Sequence, residues 1–141
     1  MIETKKILVA VNFDEHNNLP SRWAATIGKC SDAEVRIVYV AEPTGLGEED
    51  MDEHLSGCKS AMDEQVEQLS RHGVSVNGEV LPDTGYGAAG TILNLAKAWP
   101  SDLIILGTQP RKGLAKLLSS SVASRIIEGA PCSVLLVRAP A

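Results

Sequence analysis

The sequence predicts an α/β fold built on one parallel sheet with helices on both faces. Three observations carry this. Short apolar runs recur at Ile7–Val11, Leu103–Leu106 and Val134–Val137, with less continuous ones over 34–40 and 74–80. Segments with helical periodicity separate them. The runs are apolar at consecutive rather than alternate positions, as in strands covered on both faces. Strands alternating with helices then imply right-handed crossovers in a single layered domain over 1–141.

The first strand is read over 5–11, ended by Asn12. Asn17 or Asn18 is suited to capping the next helix and Pro20 to its first turn. Trp23, Ile27 and Cys30 follow at the spacing of one helix face. The second strand is read over 34–40. Pro43, Gly45 and Gly47 interrupt the chain before a long amphipathic helix over about 49–72, whose apolar stripe is Met51, Leu55, Cys58, Met62, Val66 and Leu69. Acids crowd its first turns, where they complement the helix dipole, and Gly73 is placed to end it.

The third strand is read over 74–80. A helix over 88–98 turns Ile92, Leu95, Ala96 and Trp99 inward and stops at Pro100. The fourth strand covers 102–107. After a loop of about twelve residues, a short helix starts near Ser119–Ser121, shows Val122 and Ile126 on one face, and ends at Gly129-Ala130-Pro131. The last strand is read over 132–138.

Composition narrows function. The chain has 141 residues, 44% hydrophobic and 22% charged, with a net charge of −5. This fits one globular domain with a core of its own. The longest apolar run is five residues, against about 20 for a membrane span. No signal-peptide pattern opens the chain, so a cytoplasmic location is expected. Acidic balance and 4% aromatics argue against nucleic-acid binding. Cys30, Cys58 and Cys132 form no CxxC and read as buried small hydrophobic residues in a reducing compartment. His16, His54 and His72 are scattered, so no metal site is expected. No Gly-x-Ser-x-Gly elbow, Cys–His pair or carboxylate dyad suggests an enzyme.

Charge is uneven. Glu42 to Glu67 holds nine acids against Lys59, which reads as a solvated helix face. Leu103 to Ile127 holds no acid and four bases, Arg111, Lys112, Lys116 and Arg125, between a strand end and a helix start, where α/β folds bind anions.

Two glycine-rich segments lie at such turns. Gly85-Tyr86-Gly87-Ala88-Ala89-Gly90 is a literal GxGxxG, but it follows the third strand after a Pro82-Asp83-Thr84 linker. The acid that should close the next strand and hold a ribose is absent, since Asp102 precedes that strand. It reads as a loop leading into a helix. The second segment runs from Gly107 to Val122 and combines a strand end, a basic loop and serines at a helix start. If the first strand lies beside the fourth, the crevice between their ends is a topological switch point, and Asn12 faces this loop across it.

Ile7–Asn12, Val35–Pro43, Asp102–Thr108 and Ala130–Val137 together resemble a universal stress protein domain along essentially the whole chain. The resemblance implies a Rossmann-like, adenine-nucleotide-hydrolase-like sheet of order 3-2-1-4-5 and a cytoplasmic homodimer without catalytic residues. That order would make the last strand an edge. Val134–Val137 has no interior charge or proline, so pairing two copies through 132–138 would cover it. Nucleotide-binding members carry Gly-x-x-Gly, nine residues, then Gly-Ser or Gly-Thr after the fourth strand. Carried over, the candidate positions are Val11, Asn12, Val40, Gly107, Thr108, Arg111, Gly113, Ser120, Ser121 and Val122. The second and third motif glycines are replaced by Pro110 and Ser120, and the usual Asp after the first strand by Asn12. Proline removes an N–H and serine adds a Cβ where a phosphate would approach backbone. The expectation is therefore a stress-response binding or signalling module whose nucleotide site is degenerate, ATP weak or absent. The alternative is a member that binds ATP or AMP at the loop after the fourth strand.

Overall fold

The computed structural model describes residues 1–12, 18–41, 47–108 and 122–138. Strands β1 (Lys6–Ala10), β2 (Glu34–Ala41), β3 (Ser75–Pro82), β4 (Leu103–Thr108) and β5 (Ser133–Arg138) form one sheet of order β3-β2-β1-β4-β5. Every neighbouring pair is parallel, as the apolar runs predict. Between them come helices α1 (Leu19–Ser31), α2 (Glu48–Arg71), α3 (Gly87–Ala98) and α4 (Val122–Gly129).

The core has two halves, because successive strand residues face opposite sides of the sheet. Ile7, Val9, Val35, Ile37 and Ile105 pack under α1 and α2 with Ala24, Met62 and Leu69. Leu8, Val38, Val40, Ile104 and Leu106 pack under α3 and α4 with Ala89, Ile92, Ala96 and Ile126. Strand β3, at one edge, alternates exposed and half-buried positions instead.

Local chemistry sets the element ends. At the end of α2, Gly73 takes φ +81°, its N–H donates to Ser70 O at 3.0 Å, and the Val74 N–H donates to Leu69 O at 3.4 Å. This pair of bonds satisfies the last helical carbonyls, and Val74 and Leu69 enter the same core. At the opposite end of the sheet from Asn12, Asp102 Oδ2 accepts the Lys5 and Lys6 N–H groups at 2.7 and 2.8 Å and ties the start of β4 to the start of β1. Trp99, after α3, lies under the Arg36 guanidinium, 4.5 Å from ring centre, with Lys6 Nζ at 5.5 Å.

The structure corrects four expectations. The buried face of α1 is Ser21, Ala24 and Gly28, small residues that let the helix approach the sheet, whereas Trp23 and Cys30 are exposed. Large residues at helical spacing therefore mark the wrong stripe. Of the cysteines only Cys58 is fully buried. Cys132 is half-buried beside Asp102, and burial and that carboxylate, in this order, push its thiol up, against a backbone hydrogen bond with Ile104 that lowers it. Val122 does not share the buried face of Ile126 and is exposed. Asn18 does start α1, but with φ 53°, and its side chain makes no capping bond.

Close approach of α1 to β2 is testable at Gly28. A Cβ there would stand 2.9 Å from Cγ2 of Val35, a core side chain that is 1% exposed. Gly28→Ala is expected to destabilise the fold by about 1–3 kcal/mol through overpacking, measured by urea denaturation.

Candidate functional site

The C-terminal ends of the parallel strands form one edge of the sheet, where open α/β folds hold ligands. β1 pairs with β2 and β4, while β3 and β5 lie on opposite sides, so the connections diverge between β1 and β4. Ala10 is level with Leu106 and with Val38. Continued past its last pairs, this register brings Val11 level with Gly107 after one residue and Asn12 level with Thr108 and Val40 after two. The Val11 N–H donates to Val38 O at 2.9 Å, so β1 remains attached to β2 as it ends. Asn12 and Gly107 are exposed, Val11 is half-buried and Val40 is buried.

The structure thus brings Val11, Asn12, Val40, Gly107 and Thr108 to a common edge. Val122 begins α4 and is exposed. Arg111, Gly113, Ser120 and Ser121 lie outside the described residues, as do Pro110, Lys112 and Lys116. Arg125, the fourth base of the acid-free segment, brings a guanidinium nitrogen to 3.6 Å from where a Gly87 Cβ would stand, over the first turn of α3.

Gly107 has a structural reason for being glycine beside any ligand. A Cβ on it would stand 3.0 Å from Cγ of Pro20, in the first turn of α1. That turn is held from below. Ser21 Oγ donates to Oε1 of Gln65 on α2 at 2.8 Å, and Gln65 Nε2 donates to Asn18 Oδ1 at 2.8 Å. Ser21 and Gln65 are both buried. The sequence reading missed this network, since a lone glutamine between Met62 and Leu69 looks like surface. The signal available was its position in the apolar stripe of α2.

The GxGxxG segment is bound by the side chain of Asp83, two residues before it. Gly85 and Gly87 have φ of +98° and +72°, and both their N–H groups donate to Asp83 Oδ1 at 2.9 Å. The donors that would face a pyrophosphate are occupied by a carboxylate of the same turn, so the loop reading of this segment holds. A Cβ on Gly90 would stand 2.7 Å from Cβ of Tyr86, which accounts for the third glycine by packing.

One contact absent from the sequence reading is a thiol beside an imidazole. Cys58 Sγ lies 3.7 Å from Nε2 of His54, one helical turn away, and the Tyr39 hydroxyl lies 3.5 Å from the same nitrogen. His54 and Cys58 stand four residues apart in the sequence, the spacing that one helix face brings together. Cys58 is buried and the phenol competes for the one ring nitrogen, so the arrangement is a packed polar contact. Among the described residues no group of three or more His, Cys, Asp or Glu could hold a metal ion.

The role of Asp83 is open to test. Asp83→Ala removes the acceptor of two N–H groups at the start of α3 and is expected to cost about 1 kcal/mol, read by thermal or urea denaturation, with Asp83→Asn retaining most of the stability.

Comparison with known proteins places this geometry. The model of the universal stress protein family matches residues 3–138. A universal stress protein of Methanocaldococcus jannaschii is 31% identical over 144 residues, spanning 96% of this chain and 83% of that protein. Among solved structures, a universal stress protein in complex with cAMP is similar at TM-score 0.76 and 16% identity, covering 99% of this chain and all of that one. The universal stress protein of Archaeoglobus fulgidus in complex with dAMP is similar at TM-score 0.71 and 20% identity, covering 96% and 99%. With a family match over nearly its whole length and the sheet order that the family resemblance implies, this chain belongs to the universal stress protein family.

Proposed function

We propose that this chain is a cytoplasmic stress-response binding or signalling module whose adenine-nucleotide site, between the ends of β1 and β4, is degenerate and binds ATP weakly or not at all. The observation that carries the reading is that Asn12 and Gly107 both follow the paired ends Ala10 and Leu106 at the switch point, with Pro110 and Ser120 later in sequence where nucleotide-binding members have glycine. An asparagine amide still bonds a ribose hydroxyl, with fewer acceptor positions than a carboxylate. A prolyl nitrogen offers a phosphate no hydrogen bond. The complexes of similar folds with cAMP and dAMP make adenine nucleotides the probes to use. The second reading, a member that binds ATP or AMP well, is supported by Gly107, Gly113 and Ser121 and by the charge of Arg111 and Lys112.

The chain is read as a binder rather than a catalyst. Cys58, the thiol that touches an imidazole, is a buried residue of α2, and that imidazole also meets the Tyr39 hydroxyl. Among the described residues no helix is long and apolar enough to cross a membrane.

Calorimetric titration with ATP and AMP tests the reading. Each charge-assisted hydrogen bond restored is worth roughly 1.5–3 kcal/mol, or about one to two decades in Kd. Pro110→Gly with Ser120→Gly is therefore expected to tighten ATP by at least about tenfold, with Asn12→Asp adding at the ribose end. Tight binding by the unmodified chain, with no gain in the double variant, would favour the second reading.

The module is further proposed to be a homodimer. β5 is an edge strand of the described sheet, and Val134–Val137 carries neither charge nor proline. Antiparallel pairing of two copies across a two-fold axis would engage its open backbone groups and cover Leu135 and Leu136. Light scattering at tens of micromolar is expected to give twice the chain mass, and Leu135→Lys to shift it to the monomer. A monomeric unmodified protein would refute the pairing.

A further inference from the structure

Asn18 occupies the left-handed region at φ 53° and ψ 36°, where asparagine is tolerated because its short side chain bonds nearby backbone. Here it makes no capping bond. Its amide oxygen instead accepts a hydrogen bond from Gln65, 47 residues away on another helix. Gln65 is 3% exposed, and its own oxygen is taken by Ser21. Among the described residues no buried side-chain nitrogen or oxygen lacks a partner, so this amide has both ends engaged. The Asn18 carbonyl accepts the first helical bond of α1, from the Arg22 N–H at 3.0 Å. Two residues on, the Pro20 ring lies against Gly107 so closely that no Cβ fits without movement. A continuous path of contact therefore runs from the C-terminal half of α2 through the first turn of α1 to the end of β4.

We propose that Gln65 is a positioning residue for the adenine-nucleotide site, an inference that rests on the site proposed above. By fixing Asn18 it sets the height of Pro20 against Gly107 and the point to which the chain leaving Asn12 must return. Gly107 and Asn12 flank the crevice, so their spacing follows the Gln65–Asn18 bond. A leucine at 65 would fill similar volume but leave Asn18 and Ser21 without their buried partner, and the turn would relax toward water. Binding in the crevice and order at the α1–α2 junction are then linked, each favouring the other.

The test uses amide NMR spectra and AMP titration, with Pro110→Gly/Ser120→Gly as host so that affinity has range to fall. Three substitutions are compared. Gln65→Leu removes the amide. Asn18→Gly removes its acceptor while tolerating the positive φ. Val66→Ala perturbs the neighbouring packing of α2 outside the network. The Gly107 and Thr108 amide resonances are expected to move in the first two without nucleotide, and to stay in the third. AMP affinity should fall about threefold to tenfold in each of the first two. Combining them should add little beyond Gln65→Leu alone, since the bond that Asn18→Gly breaks is already lost there. Unmoved Gly107 and Thr108 resonances, or equal movement in Val66→Ala, would overturn the positioning role. Should AMP bind none of these proteins while the resonances move as expected, the positioning role stands and the nucleotide reading fails.

Discussion

β1 has neither a solvent face nor a free edge. Its backbone groups pair with β2 on one side and β4 on the other, and Ile7, Leu8 and Val9 are fully covered by helices above and below. Backbone polar groups cannot be left unpaired in such a position, so the strand's neighbours must be continuous and in register. The connections between them must then travel over the faces, which places α1 and α2 on one side and α3 and α4 on the other. The crevice at the end of β1 is a consequence of the same constraint. Where chain connections leave a central strand in opposite directions, the two departing segments part and open a gap.

The two glycine-bearing segments differ in the chemistry around their glycines. At the start of α3 the amides that an anion would seek are satisfied internally by Asp83, whose carboxylate also suits the positive end of the helix dipole. Such a turn is a stable helix start. After β4 the chain instead carries bases, serines and a proline, with Gly107 exposed at the edge. A GxGxxG pattern alone does not distinguish these cases, since glycines serve a tight turn as readily as a phosphate. The side chain that faces the free N–H groups decides.

The Ser21–Gln65–Asn18 network is polar chemistry set within an apolar interface between α1 and α2. Leaving one member unpaired is more costly than the net gain of forming the bonds, so the network selects one arrangement of the two helices. Small residues reinforce the choice. Ala24 and Gly28 bring α1 against the sheet, and Gly107 admits Pro20 at its end. The edge that carries Asn12 is thereby backed by these packed elements from below.

By itself the sequence determined the class of fold, the five strands to within about two residues, the parallel sheet and its layers, because strand-length apolar runs separated by helical periods leave few other ways to bury both faces. Through resemblance it also indicated the strand order, and through the substitutions at Pro110, Ser120 and Asn12 the direction in which the site departs from nucleotide-binding relatives. Tertiary structure alone decided which face of α1 is buried, since Trp23 and Cys30 at helical spacing outweigh Ala24 and Gly28 in hydrophobicity yet cannot fit so close to the sheet. It alone showed that Asp83 occupies the GxGxxG amides, that Tyr39 meets His54, and that Gln65 reaches Asn18. Periodicity reports how one segment meets an apolar layer. Hydrogen bonds between side chains 47 residues apart, and the room available where a glycine meets a proline from another element, depend on how the elements are brought together.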